Sequence, residues 1–316
     1  TTSGTETDVD SVKIVLVAVT SATTTIADIT GTDGKLIITN INETPEGGNL
    51  YYMAVAVDSD GKPVTQSGTV TVNYGTTSDN TDKDATAGTD YNNTTVVSAT
   101  LGTVFTVNVK DDYYAEGDEK FTVKITNLTG SSYESPSIDT SKDTVTSTIK
   151  DNPAKVEQVD TGTGNDDPTN GSYGQDDTVY VKITQTPSTT EGGNLVHTIT
   201  LVDKDGNPVT VPAGQSVTVN LTYTVNSGDF TESDLSTIEK SVTIVGGTDH
   251  TDFTNVTKDN FTYEGDEVYN VTISSVTQSG AFENVAIHTD KTTTGTIRDG
   301  VTLGIPVDTT VYEDGL

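Results

Sequence analysis

"KDDYYAEGDEKFTVKI" (110–125) and "KDNFTYEGDEVYNVTI" (258–273) are one pattern written twice. Each copy opens on a knot of acids and runs directly into alternating apolar and polar residues. In the first, Phe121, Val123 and Ile125 share one face, with Thr122, Lys124 and Thr126 on the other. In the second, Tyr269, Val271 and Ile273 take the same places. A period of two is the signature of a half-buried strand. The pair therefore predicts a repeated, strand-built fold with acids at the strand entrance.

The repetition extends outward from this stretch. "TPEGGNL" (44–50) returns as "TTEGGNL" (189–195), and "DSDGKPVT" (58–65) as "DKDGNPVT" (203–210), both 145 residues further on. "GTDY" (88–91) is answered by "SGDF" (227–230), and "TIKDN" (148–152) by "TIRDG" (296–300). Self-similarity at one spacing predicts homologous structural units. The expected domains are 1–152 and 153–300, with 301–316 starting a further repeat, since "TTVYEDGL" (309–316) imitates "STTEGGNL". Short strands separated by Asp-Gly-x-Pro turns, with few helix formers, predict an all-β chain of two tandem β-sandwiches. "VKIVLVAV" (12–19) reads as a buried strand, and "ESDLSTIEK" (232–240) as a short helical turn.

Composition excludes several functions. With no cysteine there is no disulfide, thiol nucleophile or thiolate zinc site. His197, His250 and His288 stand far apart and read as strand or surface residues, not ligands. A formal charge of −31 repels nucleic acid and anionic membranes, and no apolar run has the length of a membrane span. The Gly-x-Ser-x-Gly, His-Glu-x-x-His and phosphate-loop patterns are absent, and identical acids in two tandem units suit repeated structure better than a duplicated active site. The expectation is a non-enzyme.

The acids themselves recur: Glu46 with Glu191, Asp90 with Asp229, Asp111 with Asp259, Glu116 with Glu264, Glu119 with Glu267, and Asp151 with Asp299. Asp112 becomes Asn260, which keeps an oxygen and loses a charge. All lie at predicted strand ends and turns, which a sandwich gathers at its poles. Two carboxylates about 4 Å apart repel by about 4 kcal/mol at an effective dielectric near 20. Four together would exceed a domain stability of roughly 5–15 kcal/mol unless neutralised. A hard divalent cation with all-oxygen ligands does this, and calcium suits several carboxylates better than magnesium. The alternative is a solvated, salt-screened acidic surface. "GTGNDDPTNGSYGQDD" (162–177) reads equally as a second calcium loop or as a polar insertion. "DSDG" and "DKDG" read as hairpin turns between strands, without the rest of an EF-hand loop.

The Asp-Asp or Asp-Asn pair, the Glu-Gly-Asp-Glu run and the closing Ile-x-Asp resemble the Calx-β domain pattern over most of each unit. That resemblance implies an Ig-like sandwich binding calcium at one end. It implies Glu46, Asp90, Asp111, Asp112, Glu116, Glu119 and Asp151 as ligands in the first unit. In the second it implies Glu191, Asp229, Asp259, Asn260, Glu264, Glu267 and Asp299. The single acid after each closing Ile implies fewer ions than a multi-ion cluster. The tandem, acidic, threonine-rich array also resembles extender regions of bacterial RTX-type surface adhesins. This implies an extracellular, monomeric, elongated spacer at a bacterial cell surface, partnered by neighbouring repeats and stiffened by calcium. The alternative is a module that grips a glycan or host protein directly. Aromatics are only 6% and tryptophan is missing, so the residues offer little for a sugar platform.

Overall fold

The computed structural model describes residues 11–39, 42–76, 83–92, 96–151, 177–260 and 262–299. The expected boundaries near Asn152 and Gly300, the stretch 301–316 and loop residues 162–176 lie outside these. By their contacts the residues form two compact units, one of Thr1–Thr178 with Phe282–Asn284, the other of Val179–Ala281 with Val285–Leu316.

The first unit contains β1 (Ser11–Val19), β2 (Glu43–Pro45), β3 (Asn49–Val57), β4 (Thr69–Thr76), β5 (Lys83–Asp84), β6 (Val96–Thr100), β7 (Val104–Asn108), β8 (Glu119–Thr129), β9 (Ser135–Ile138) and β10 (Thr144–Lys150). One sheet runs β7-β3-β1-β9 and the other β2-β10-β8-β4-β6, with β5 beside β8. Val70, Val72, Phe121, Val123 and Ile125 from one sheet pack with Ile14, Leu16, Leu50 and Tyr52 from the other in a single core. This is a β-sandwich. The uninterrupted apolar run of β1 has a direct cause. Ile14, Leu16 and Ala18 face that core, while Val15, Val17 and Val19 join Met53, Val55 and Val57 beneath Ile26, Ile29 and Leu36. A strand covered on both faces shows no alternation.

The second unit contains β11 (Thr178–Thr184), β12 (Ser188–Thr190), β13 (Asn194–Val202), β14 (Ser216–Ser227), β15 (Leu235–Thr237), β16 (Ser241–Val245), β17 (His250–Thr257), β18 (Glu267–Gln278), β19 (Asn284–Ile287) and β20 (Thr292–Arg298). Its sheets run β15-β17-β13-β11-β19 and β12-β20-β18-β14-β16, the strand order of the first unit with β15 added at one edge and, among the described residues, no counterpart of β5. The expected helical turn is limited to a 3-10 turn at Glu232–Asp234, after which the chain enters β15.

The Asp-Gly turns bend the chain as the sequence predicts. Asp58 Oδ1 accepts the Asp60 and Lys62 amides, both at 2.9 Å, and Asp203 Oδ1 accepts those of Asp205 and Asn207. The strands they lead to belong to opposite sheets, so β3 and β4 are not a hairpin pair.

Candidate metal centre

The Glu-Gly-Gly turn is built for close approach. Gly47 and Gly192 have φ of 70° and 75°, where other residues are strained. A Cβ on Gly48 would lie 2.0 Å from Thr44 Oγ1 and 2.9 Å from the Pro45 carbonyl, with the same obstruction at Gly193. The turn is stitched on both sides. Glu46 N–H donates to the Lys150 carbonyl at 3.2 Å, and Gly47 N–H to the Lys110 carbonyl at 3.1 Å. Glu46 is thereby held between Asp151 and Asp111. Glu191 and Gly192 repeat both bonds to Arg298 and Lys258.

Strand alternation supplies the next group. Glu119 opens β8 on the face of Phe121 and Val123, so its carboxylate is buried at the tip of the core, and Glu267 does the same on β18. The acid loop folds over it through its own side chains. Asp112 Oδ1 accepts the Tyr114 amide and Asp151 Oδ2 the Gly117 amide, each at 2.7 Å. In the second unit Asn260 accepts from Thr262, and Asp299 from Glu264 and Gly265.

In the first unit five of the seven predicted acids fall into two close groups, and Asp111 and Asp112 act on Glu46 electrostatically. Oxygens of Asp90, Glu116 and Glu119 lie within 4.8 Å of one another, as do oxygens of Glu46, Asp151 and Glu283. Burial pushes the Glu46 carboxyl up to about 9, reinforced by Asp112, Asp151, Asp111 and Glu116. Asp112 is also raised, by burial and then by Asp90 and Asp151 against the lowering Tyr114 hydrogen bond. Glu46 Oε2 and Asp151 Oδ1 are buried with no hydrogen-bond partner.

The second unit is looser. Asp259, Asn260 and Glu264 are exposed, whereas Asp111, Asp112 and Glu116 are half-buried. Burial raises Glu191, helped by Asp299, Glu264 and Asp259. Glu267 is pushed up to about 7 by burial, then by Asp234, Glu264, Glu191 and Asp229. Among the described residues, no three His, Asp or Glu side chains of this unit bring ligand atoms within 4.8 Å of one another.

Two members were not anticipated from the sequence. Asp234 is the backbone counterpart of Asp90: its carbonyl accepts the Lys258 amide as Asp90 accepts that of Lys110. Asp229 keeps an electrostatic hold on Glu267 but does not occupy that place. Glu283 is the other. It is 9% exposed, beside Asp177 at 1%, the only described residue of the acidic loop 162–177. Recurrence gave no signal for it, since its counterpart Glu134 before β9 is exposed and takes no part in the site.

No protein-family model matches the chain, and no curated protein matches its sequence. Solved structures do resemble it. CBD12 from CALX1.2 is 13% identical over 81% of this chain and 96% of that one, with a TM-score of 0.30. The calcium binding domain CBD12 of CALX1.1 is also 13% identical, over 80% and 96%, at 0.30. Domains 4 and 5 of the S-layer protein SbsC are 16% identical over 85% and 97%, at 0.24. No described helix is long and apolar enough to cross a membrane.

Proposed function

We propose that the chain is a calcium-clamped structural segment, a spacer in an extracellular surface protein of the adhesin type. The observation that carries this reading is the first unit's pole. There, carboxylates within 4.8 Å include buried oxygens of Glu46 and Asp151 that no hydrogen bond satisfies. Ionised pairs at that separation repel by about 3 kcal/mol each at a dielectric near 20. A fold that gathers such groups and leaves their oxygens unpaired fits a hard cation, for which carboxylate oxygens are the preferred ligands.

In the first unit Glu46, Asp111, Asp112 and Asp151 would hold one ion, with Asp90, Glu116 and Glu119 supplying a second group. In the second, Glu191, Asp259, Asn260, Glu264, Glu267, Asp299 and Asp234 would serve, with Asp229 at the margin. The ion supplies charge neutralisation and cross-links segments far apart in sequence. Asp151 and Asp299 close the last strand of each repeat, so an ion held there restrains the chain where it leaves the sandwich. Binding the folded chain alone stabilises it by RT ln(1 + [L]/Kd), about 2.7 kcal/mol at a hundredfold excess over Kd. Thermal unfolding in calcium and in chelator tests the clamp, and small-angle scattering under both conditions tests the spacer. A calcium-dependent rise in melting temperature with a narrower spread of dimensions is expected. Identical curves in both measurements would overturn the reading.

A further inference from the structure

We infer that Glu283 is a ligand of the first unit's cation site, completing the group begun by Glu46 and Asp151. The inference rests on the calcium reading and adds a residue from outside the repeat that supplies the other ligands. Glu283 lies 132 residues beyond Asp151 in sequence, yet one of its oxygens is within 4.8 Å of oxygens of both Asp151 and Glu46.

Three observations place it there by construction. Its backbone is pinned, with the Glu283 amide donating to the Tyr113 carbonyl at 3.1 Å and Phe282 bridged to Tyr114. The Phe282 ring stacks on Tyr114 with centroids 5.6 Å apart, which fixes the side of the acid loop on which Glu283 emerges. Its side chain is 9% exposed, and both Oε1 and Oε2 are buried with no hydrogen-bond partner. A carboxylate in such surroundings is retained only if it is protonated or paired with a cation. Asp177, Glu46, Asp151 and Asp111 all act on it as like charges, after burial itself. A proton would neutralise one member of this group, whereas a divalent ion neutralises several at once. Ligand number and charge set calcium affinity, so a further buried carboxylate makes this site the tighter of the two units'.

The test is calorimetric titration of calcium into the full chain and into Glu283→Gln, with melting of both in chelator. Gln keeps the shape and removes the charge. The expected result is that the tightest sites of the parent chain weaken by about tenfold or more in the variant. The variant should also melt at or above the parent in chelator, because Gln removes the cost of burying or protonating that carboxyl. If the parent binds calcium and E283Q binds it equally well, Glu283 is not a ligand and the calcium reading stands without it. If E283Q melts lower by the same amount in chelator and in calcium, its role is packing and the inference fails. If the parent chain itself binds no calcium, both fail together.

Discussion

The Asp234 carbonyl accepts the Lys258 amide at 2.8 Å, and the Asp90 carbonyl accepts the Lys110 amide at 2.9 Å. The two aspartates are thus the same residue of the fold in its two copies. In the first unit the neighbouring Tyr91 stacks on Phe121, with centroids 4.4 Å apart. In the second, the ring against Tyr269 at 4.9 Å is Phe230, four residues before Asp234. The insertion carrying the 3-10 turn has split the aromatic task from the carboxylate task. Asp234→Asn should therefore weaken calcium binding by the second unit about tenfold, with Asp229→Asn changing it less. Asn preserves the oxygen that caps the turn to Thr231. Equal effects of the two substitutions in a calcium titration would refute the assignment.

Gly48 admits no side chain, since the Pro45 carbonyl and Thr44 hydroxyl occupy the position of its Cβ. Gly48→Ala should cost about 1–3 kcal/mol, as overpacking does, and displace Glu46. Denaturant unfolding should show the loss, and calcium should recover less stability than in the parent. A variant as stable as the parent would show that the turn yields freely.

Without calcium, the first unit should become more stable as the solution is acidified from pH 8 to pH 5. Glu46 at about 9 and Glu283 at about 10 both stand far above the ordinary carboxyl value of 4.5. Between those limits the folded state binds more protons than the unfolded chain, so its stability falls as pH rises. Hydrogen exchange of first-unit peptides in chelator, corrected for intrinsic rates, should show greater protection at pH 5. Calcium should reverse the trend, because protons compete for the same oxygens.

His197 makes the opposite contribution in the second unit. The ring is fully buried, stacked on Phe253 with centroids 5.2 Å apart and bonded through Nε2 to the Tyr269 hydroxyl at 3.0 Å. Burial lowers it from 6.5 to about 4. It is neutral when folded, and the unfolded chain takes up its proton first as pH falls below 6.5. Relative to His197→Phe, the parent should lose on the order of 3 kcal/mol between pH 6.5 and pH 4. Tyr269 retains its bond from Asn255 Nδ2 in the variant. Parallel stability curves for the two chains would show that the ring is protonated in the fold.

The legible parts of this molecule are those governed by local period. Phe121, Val123 and Ile125 alternate and are buried, and so do Tyr269, Val271 and Ile273. The acids next to those strands kept their spacing, so Glu116, Glu119 and Asp151 could be read from recurrence. Asp234 escaped because spacing carries a residue's role only while no insertion intervenes. Glu283 escaped because its association with Glu46 depends on long-range packing through Phe282 and Tyr114, which no local pattern encodes. The opposite-sheet placement of β3 and β4 escaped for a similar reason, since a turn signal states that the chain reverses and not which sheet receives it.

The central claim is that the carboxylates at the first unit's pole are held together by a bound cation. Crystals grown in calcium, measured for anomalous scattering, test it most directly. The predicted result is an anomalous peak with Glu46 and Asp151 oxygens at about 2.3–2.6 Å, the calcium–oxygen bond length. The contradicting result is clear density for both side chains, turned apart into solvent, with no peak between them.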